Sequence, residues 1–415
     1  MEIVVERIAG LDVHAETVVA CVRTPGPRPG RRRQEVRTFG TFAGQLAELA
    51  DWLGGVGVTE AVMEATGVYW KPVWYALDGA VPELVLVNAT QVKKVPGRKT
   101  DVKDAEWLAQ LGECGLLRAS FVPPEPIRDL RDLTRYRKKM VQARAQEAQR
   151  VQKLLEDAGV KLTEVISDVL GRSGRAMLDA LVAGQRDPAV LAELALGKMR
   201  PKIPVLREAL ATARFRDHHA WMLSEHLARI DSLDGSLARI DAQVDRVIAP
   251  FGDARDRLMT IPGVGKTAAE VIIAETGGDM AQFPTPEQLA SWAGMCPGNK
   301  RSAGKNYSGR TPAGNAWLSG MVTECGWAAR RTKGTYLAAQ FWHIARRRGQ
   351  ARAAVAVGHS ILVIAWHIMS TPGVVYDELG GDYFTRRLDP TRHQHRLVAQ
   401  LEALGLKVTL EPAAP

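Results

Sequence analysis

At 415 residues, with 46% hydrophobic and 24% charged side chains, the chain is long enough for two or three domains with buried cores and is no disordered polyelectrolyte. A formal charge of +9 and a pI near 9.4 point to a polyanionic partner. The four cysteines, Cys21, Cys114, Cys296 and Cys325, are scattered without a C-x-x-C pair or a His at ligand spacing, which argues against zinc and against a disulfide framework.

The opening MEIVVERIAG carries acids early and has no long apolar core, so it does not read as a signal peptide. RIAGLDV and TVVACVR then read as two short strands joined at His14 to Glu16, and VRTFGTF as a third. AGQLAELADWL reads as a helix, TEAVMEA as a strand, YWKPVWYALDG as a helix, ELVLVNA as a strand and DVKDAEWLAQLGECG as a last helix. A three-strand meander followed by alternating helix and strand is the order of a ribonuclease H-like α/β domain.

That order brings carboxylates together. Asp12 lies inside the first strand and Glu64 at the end of the fourth, and these strands are neighbours in such a sheet. The last helix packs beside them, with Asp101 and Asp104 three residues apart on one of its faces. Taken singly, Asp-x-x-Asp reads as a first-turn charge that serves the helix dipole. Four converging carboxylates cannot all stay ionised without cations, and hard oxygen ligands suit magnesium or manganese, as in two-metal phosphoryl transfer. Asp12, set in an apolar strand, has the greatest need of a partner.

Past the prolines of FVPPEP a long basic helix is expected from about Ile127 to Asp157, followed by a Gly- and Pro-punctuated helical region to about residue 205. Between residues 218 and 248, Leu223, Leu227, Ile230, Leu233, Leu237, Ile240, Val244 and Val247 recur at close to the 3.5-residue coiled-coil period. Such a stripe serves an intramolecular core or a dimer seam equally well.

LMTIPGVGKTAAEVIIAETG is no Walker loop, because Thr260 stands where that loop needs its first Gly. It reads instead as a helix-hairpin-helix-like turn whose Gly263 and Gly265 N–H groups would approach a nucleic-acid phosphate, with a plain helix–helix turn as the alternative. GMCPGNKRSAGKNYSGRTPAGNAWL follows as a basic loop ahead of a helix starting near Pro312. In it Lys300, Arg301 and Lys305 flank Ser302, which reads as a backbone-bonding serine or as a nucleophile on phosphorus with Ser308 as its rival, and Arg310 joins those three as a nucleic-acid-binding cation. Residues 118–153 hold ten Lys or Arg against four acids, and residues 298–352 hold eleven against one. Trp317, Trp327, Tyr336, Phe341 and Trp342 are interleaved in the second segment, the pattern of a surface that tracks phosphates. The apolar run at 353–369 contains two histidines and falls short of the roughly 20 residues of a membrane span, so a buried helix and a cytoplasmic protein are expected.

GLDVHAETVVACV, EATGVYW and RKTDVKDAEWLAQL resemble the Asp-Glu-Asp-Asp motif set of the IS110 insertion-sequence transposases, or bridge recombinases, whose N-terminal domain is similar to the Holliday-junction resolvase RuvC. The resemblance continues through FRDHHAWMLSEHLARIDSLDGSL into the C-terminal part. It implies a RuvC-like domain over residues 1–122, a helical linker and coiled coil over 123–250, a mostly helical C-terminal serine transposase domain over 251–371, and a tail over 372–415. It also implies a magnesium-binding quartet at Asp12, Glu64, Asp101 and Asp104, and a catalytic-serine loop matched at Ser302, with Ala303 where that family often has Gly. As partners it implies donor and target DNA, a structured guide RNA, and a homo-oligomer, dimer or tetramer, joined through the coil. The rival readings are a metal-dependent structure-specific nuclease needing only the acids, and a non-catalytic nucleic-acid scaffold.

Overall fold

The computed structural model describes residues 3–28, 30–88, 101–212, 214–298, 300–303, 305–309, 311–387 and 390–410; of residues 101–103, 300–302, 306–308, 390 and 392–393 it describes the backbone. The chain forms two compact units, Met1–Pro123 and Pro124–Pro415.

The first unit is built on β1 (Ile8–Val13), β2 (Thr17–Pro25), β3 (Arg32–Gly40), β4 (Glu60–Glu64) and β5 (Glu83–Val87), in the order β3-β2-β1-β4-β5. The β1–β2 and β2–β3 pairs are antiparallel, whereas β1–β4 and β4–β5 are parallel. This is the ribonuclease H-like arrangement expected from the order of elements. Central strand β1 is buried along its whole length because both faces are covered. Ala9, Leu11 and Val13 meet helices α1 (Ala43–Val56) and α2 (Trp70–Leu77), while Ile8 packs on the opposite face with Val62, Ala105 and Leu108.

Helix α3 (Asp101–Glu113) lies unusually close to that second face. A Cβ on Gly10 would stand 2.2 Å from the Ala105 carbonyl oxygen and 2.5 Å from the Ala109 nitrogen, and one on Gly112 would stand 2.5 Å from Ile8 Cδ1. Ala105 and Ala109 therefore sit over Gly10 and Gly112 over Ile8, so α3 runs antiparallel to β1. Its far end is anchored by Glu113, which accepts from Arg23 Nε at 2.8 Å and Arg32 Nε at 3.2 Å.

The second unit is helical. Its long members are α4 (Glu125–Asp157) and, after the short helices α5 (Leu162–Val165), α6 (Arg172–Val182), α7 (Pro188–Glu193) and α8 (Ile203–Leu210), α9 (Asp217–Val247). Helices α10 (Gly252–Leu258), α11 (Lys266–Thr276) and α12 (Pro286–Trp292) lead to a hairpin of β6 (Lys300–Ser302) and β7 (Lys305–Ser308). Then follow α13 (Ala316–Ala329), α14 (Tyr336–Arg348), α15 (Gln350–Ser370), α16 (Tyr383–Arg386) and α17 (Pro390–Glu402). The segment after residue 371, expected as a tail, thus carries two helices.

Helices α4 and α9 pair antiparallel: Arg137 Nε bonds Asp241 at 2.5 Å, Arg144 Nη2 bonds Asp234 at 3.0 Å, and Arg229 Nε meets Glu147 at 2.9 Å. Two cores lie at the ends of this pair. One holds Ile127, Leu130, Ile240 and Val244 with α10 to α15; the other holds Val151, Leu155, Leu223, Leu227 and Ile230 with the short helices. Five of the eight stripe residues on α9 are therefore buried inside the chain, and for them the intramolecular alternative holds.

Two expectations are corrected. Helix α13 begins at Ala316 rather than near Pro312, because the Asn315 side chain caps it by accepting from the N–H groups of Trp317 and Leu318. Helix α15 reaches 21 residues, long and apolar enough by composition to cross a membrane, yet eight of them, including Ala354, Gly358 and Ile361, are buried against this chain. Gly358 and Gly326 explain the fit: a Cβ on either would stand within 2.7 Å of a backbone carbonyl of the facing helix.

Candidate catalytic site

In the first unit Asp12, Glu64 and Asp104 lie on elements that share the α3-side face of the sheet. Asp12 is buried at 9% exposure, with Oδ2 at 3.2 Å from His14 Nε2. His14 was not singled out from sequence; its place two residues after Asp12 at a strand end, on the same face, was the available signal. Glu64 closes β4, the parallel neighbour of β1, and shares the face of Val62. Because α3 runs antiparallel to β1 over Gly10, its first turn, with Asp104, points to the Asp12 end of the strand. The Asp101 side chain lies outside the described residues.

Among the described residues no three His, Cys, Asp or Glu stand close enough to hold one ion. The donor chemistry nonetheless fits magnesium or manganese: carboxylates at one end of two parallel strands and one helix, one of them buried in a position that penalises an uncompensated charge.

In the second unit Ser302 pairs with Lys305 in the β6–β7 hairpin. Ala303 makes the turn at φ +48°, the left-handed region, and this explains why glycine suits the position. The side chains of Lys300, Arg301, Ser302 and Ser308, and the whole of Arg310, lie outside the described residues; Lys305 is exposed.

The base of this loop is closed tightly. A Cβ on Gly314 would stand 2.3 Å from the Gly294 nitrogen, and the Asn315 N–H donates to the Trp292 carbonyl at 3.3 Å. Below it, fully buried Glu275 accepts from Arg135 Nε at 2.8 Å, from Arg135 Nη2 at 2.7 Å and from Asn315 Nδ2 at 2.7 Å. Arg131 donates to the Ala274 and Glu275 carbonyls at 3.1 and 2.8 Å; burial holds its guanidinium below the ordinary value while Glu275 raises it. This network joins α4, α11 and the cap of α13, and sequence patterning did not reveal it.

The two glycines of the helix-hairpin-helix-like turn separate. Gly263, at φ +92°, is required by packing, since a Cβ would stand 2.6 Å from the Cys325 carbonyl oxygen and 2.7 Å from the Ala329 nitrogen. Gly265 is exposed at the N-cap of α11 with nothing within 4 Å of a built Cβ. Gly265 thus stands open to solvent at a helix N-terminus, while Gly263 also serves the packing of this turn against α13.

Residues 9–159 match a family model described as a transposase, of the DEDD type of the IS110 group, and residues 255–343 match the model described as "Transposase IS116/IS110/IS902 family". A protein of Sinorhizobium fredii named as a transposase is 26% identical over 347 residues, which cover 78% of this chain and 72% of that protein. The structure of Thermus thermophilus RuvC covers 28% of this chain and 99% of its own, at 13% identity and a TM-score of 0.23. Two models of one family, matched in order over more than half of the chain, show that it belongs to the IS110 transposases, enzymes of DNA strand transfer.

Proposed function

We propose that this transposase cuts and rejoins DNA through a phosphoserine at Ser302, with Asp12, Glu64, Asp101 and Asp104 as its metal-binding quartet. The observation that supports the reading is the close approach of α3, which carries Asp101 and Asp104 in its first turn, to β1, which carries Asp12. The quartet would hold magnesium or manganese, which would supply positive charge to a DNA phosphodiester. Ser302 Oγ forms a bond to phosphorus, and the DNA P–O bond breaks with its oxygen leaving as a hydroxyl. A second DNA hydroxyl then attacks the serine ester and frees the side chain. Retaining the phosphodiester energy in this ester removes any need for ATP. Lys300, Arg301, Lys305 and Arg310 supply positive charge at the transferred phosphate, and Gly265 an N-terminal amide environment. The reading extends to a guide RNA held through shape and backbone by the basic faces, and to a cytoplasmic homo-oligomer acting on donor and target DNA.

Denaturing electrophoresis with labelled DNA tests the chemistry. Wild-type protein and Ser308→Ala should form an adduct that peptide mapping places on Ser302, whereas Ser302→Ala should bind DNA and form none. Asp12→Asn and Asp104→Asn should bind and lose strand exchange. An adduct on Ser308, or rejoining by Ser302→Ala, would overturn the serine assignment. Magnesium-dependent exchange in both aspartate variants would overturn the quartet.

A further inference from the structure

Between Cys325 and Tyr376 the chain carries seven Lys or Arg and no Asp or Glu. The fold collects most of that charge at one end of a three-helix cluster. Antiparallel packing of α13 on α15, with Gly326 against the Ala354 carbonyl, brings the end of α13 to the start of α15, where Arg330 Nη1 donates to Gln350 Oε1 at 2.8 Å. Arg346, Arg347 and Arg348 form the last turn of α14 and adjoin that same start. They are exposed, as is Arg352, and among the described residues none of these four has a carboxylate partner.

A solvated helix end explains only part of this cluster. Three arginines in the last turn of α14 complement its dipole, but Arg352 stands in the first turn of α15, where the dipole opposes a cation. The charges also repel one another across the junction. Both terms become favourable only beside a polyanion.

The aromatic residues narrow the partner. Of those interleaved with the basic segment, Phe341 is fully buried, Trp327 is half-buried under the Arg330 guanidinium at 4.9 Å, and Tyr336 stacks on Phe384. Trp342 is 44% exposed and lies one helical turn before Arg346 on the same face of α14. An exposed indole beside guanidinium groups without a carboxylate partner among the described residues suits a strand whose bases are free to stack, which a duplex does not offer.

We infer that the Trp342, Arg346, Arg347, Arg348 and Arg352 surface binds an unpaired nucleic-acid strand, with Trp342 stacked on a base and the arginines on flanking phosphates. The inference rests on the chain's being a nucleic-acid enzyme and not on the role of Ser302. Fluorescence anisotropy of the full-length protein with labelled 20-nucleotide dT and rU strands and a 20-base-pair DNA duplex, across a salt series, tests it. Arg346→Gln with Arg347→Gln and Arg348→Gln should reduce the slope of log affinity against log salt for single strands by about 2. Trp342→Leu should weaken single-strand binding roughly tenfold, leave the salt slope and the duplex unchanged, and be largely rescued by Trp342→Phe. An unchanged slope in the triple variant, no effect of Trp342→Leu, or an equal loss on the duplex would each overturn the inference. The stronger of the dT and rU strands identifies whether DNA or RNA is the source. Since binding alone is read, failure of the serine reading would leave these results standing.

Discussion

Replacing Glu275 by Leu would remove a buried charge while keeping the side-chain volume, and its effect follows from the contacts around it. Glu275 is fully buried and accepts two bonds from Arg135 and one from Asn315, at 2.7 to 2.8 Å. Removing one partner of such a pair costs about 3–5 kcal/mol, because the other charge is left without compensation. Two features hold the expectation to the lower end. Arg131 loses its 3.5 Å ion pair with Glu275 but keeps the carbonyls of Ala274 and Glu275, and the Arg135 side chain is 34% exposed, so water replaces part of what it loses. We expect a loss of about 3 kcal/mol, read from the urea midpoint of the second unit by circular dichroism. Arg135→Leu added to Glu275→Leu should recover about 1 kcal/mol, since one of the two orphaned charges goes with it. A loss below about 1 kcal/mol in the single variant, or a double variant that merely adds the two losses, would refute the claim that this network holds the base of the serine hairpin.

Gly10→Ala should destabilise the first unit by about 1–3 kcal/mol and abolish strand exchange, because the new Cβ meets the Ala105 carbonyl; unchanged stability in a urea titration would contradict the close approach of α3. Leu227→Asp with Leu237→Asp should unfold the core around the short helices, and light scattering combined with circular dichroism should find loss of helix; a folded protein of reduced mass would restore the dimer seam. Burial pushes the thiols of Cys21 and Cys325 up to about 12, so almost no thiolate exists at pH 8. A disulfide reagent should therefore react rapidly with Cys114 and Cys296, and with the other two only after denaturation; rapid reaction of all four in native protein would refute this.

Regular elements were legible in the sequence wherever one period ruled a segment. Short, nearly continuous apolar runs located β1, β2 and β4, and with them Asp12 and Glu64 on neighbouring strands of the sheet. What escaped depended on contacts between segments distant in the chain. Nothing local to GLDV tells that Gly10 is small in order to admit a helix about a hundred residues later. Gly263 was read for its N–H group alone, and nothing local to IPGVG tells that it also packs against α13. Glu275 lies in an ordinary helical run, and its meaning comes from Arg135 and Asn315. The start of α13 was within reach, since Asn315 directly before an apolar run is an N-cap signal that the prolyl position upstream obscured.

The antiparallel pairing of α4 with α9 makes the group of short helices an insertion with a single gateway. The chain leaves at Asp157 and returns at His219, and these two residues hydrogen-bond to each other at 3.1 Å. The short helices between pack on a core shared with Val151, Leu155, Leu223, Leu227 and Ile230 of the two long helices, apart from the core that leads to the serine hairpin. The hairpin side of the molecule therefore has no topological need of this insertion, which can be shortened, exchanged or replaced by a tight connection between the two long helices while the fold around Ser302 closes as before.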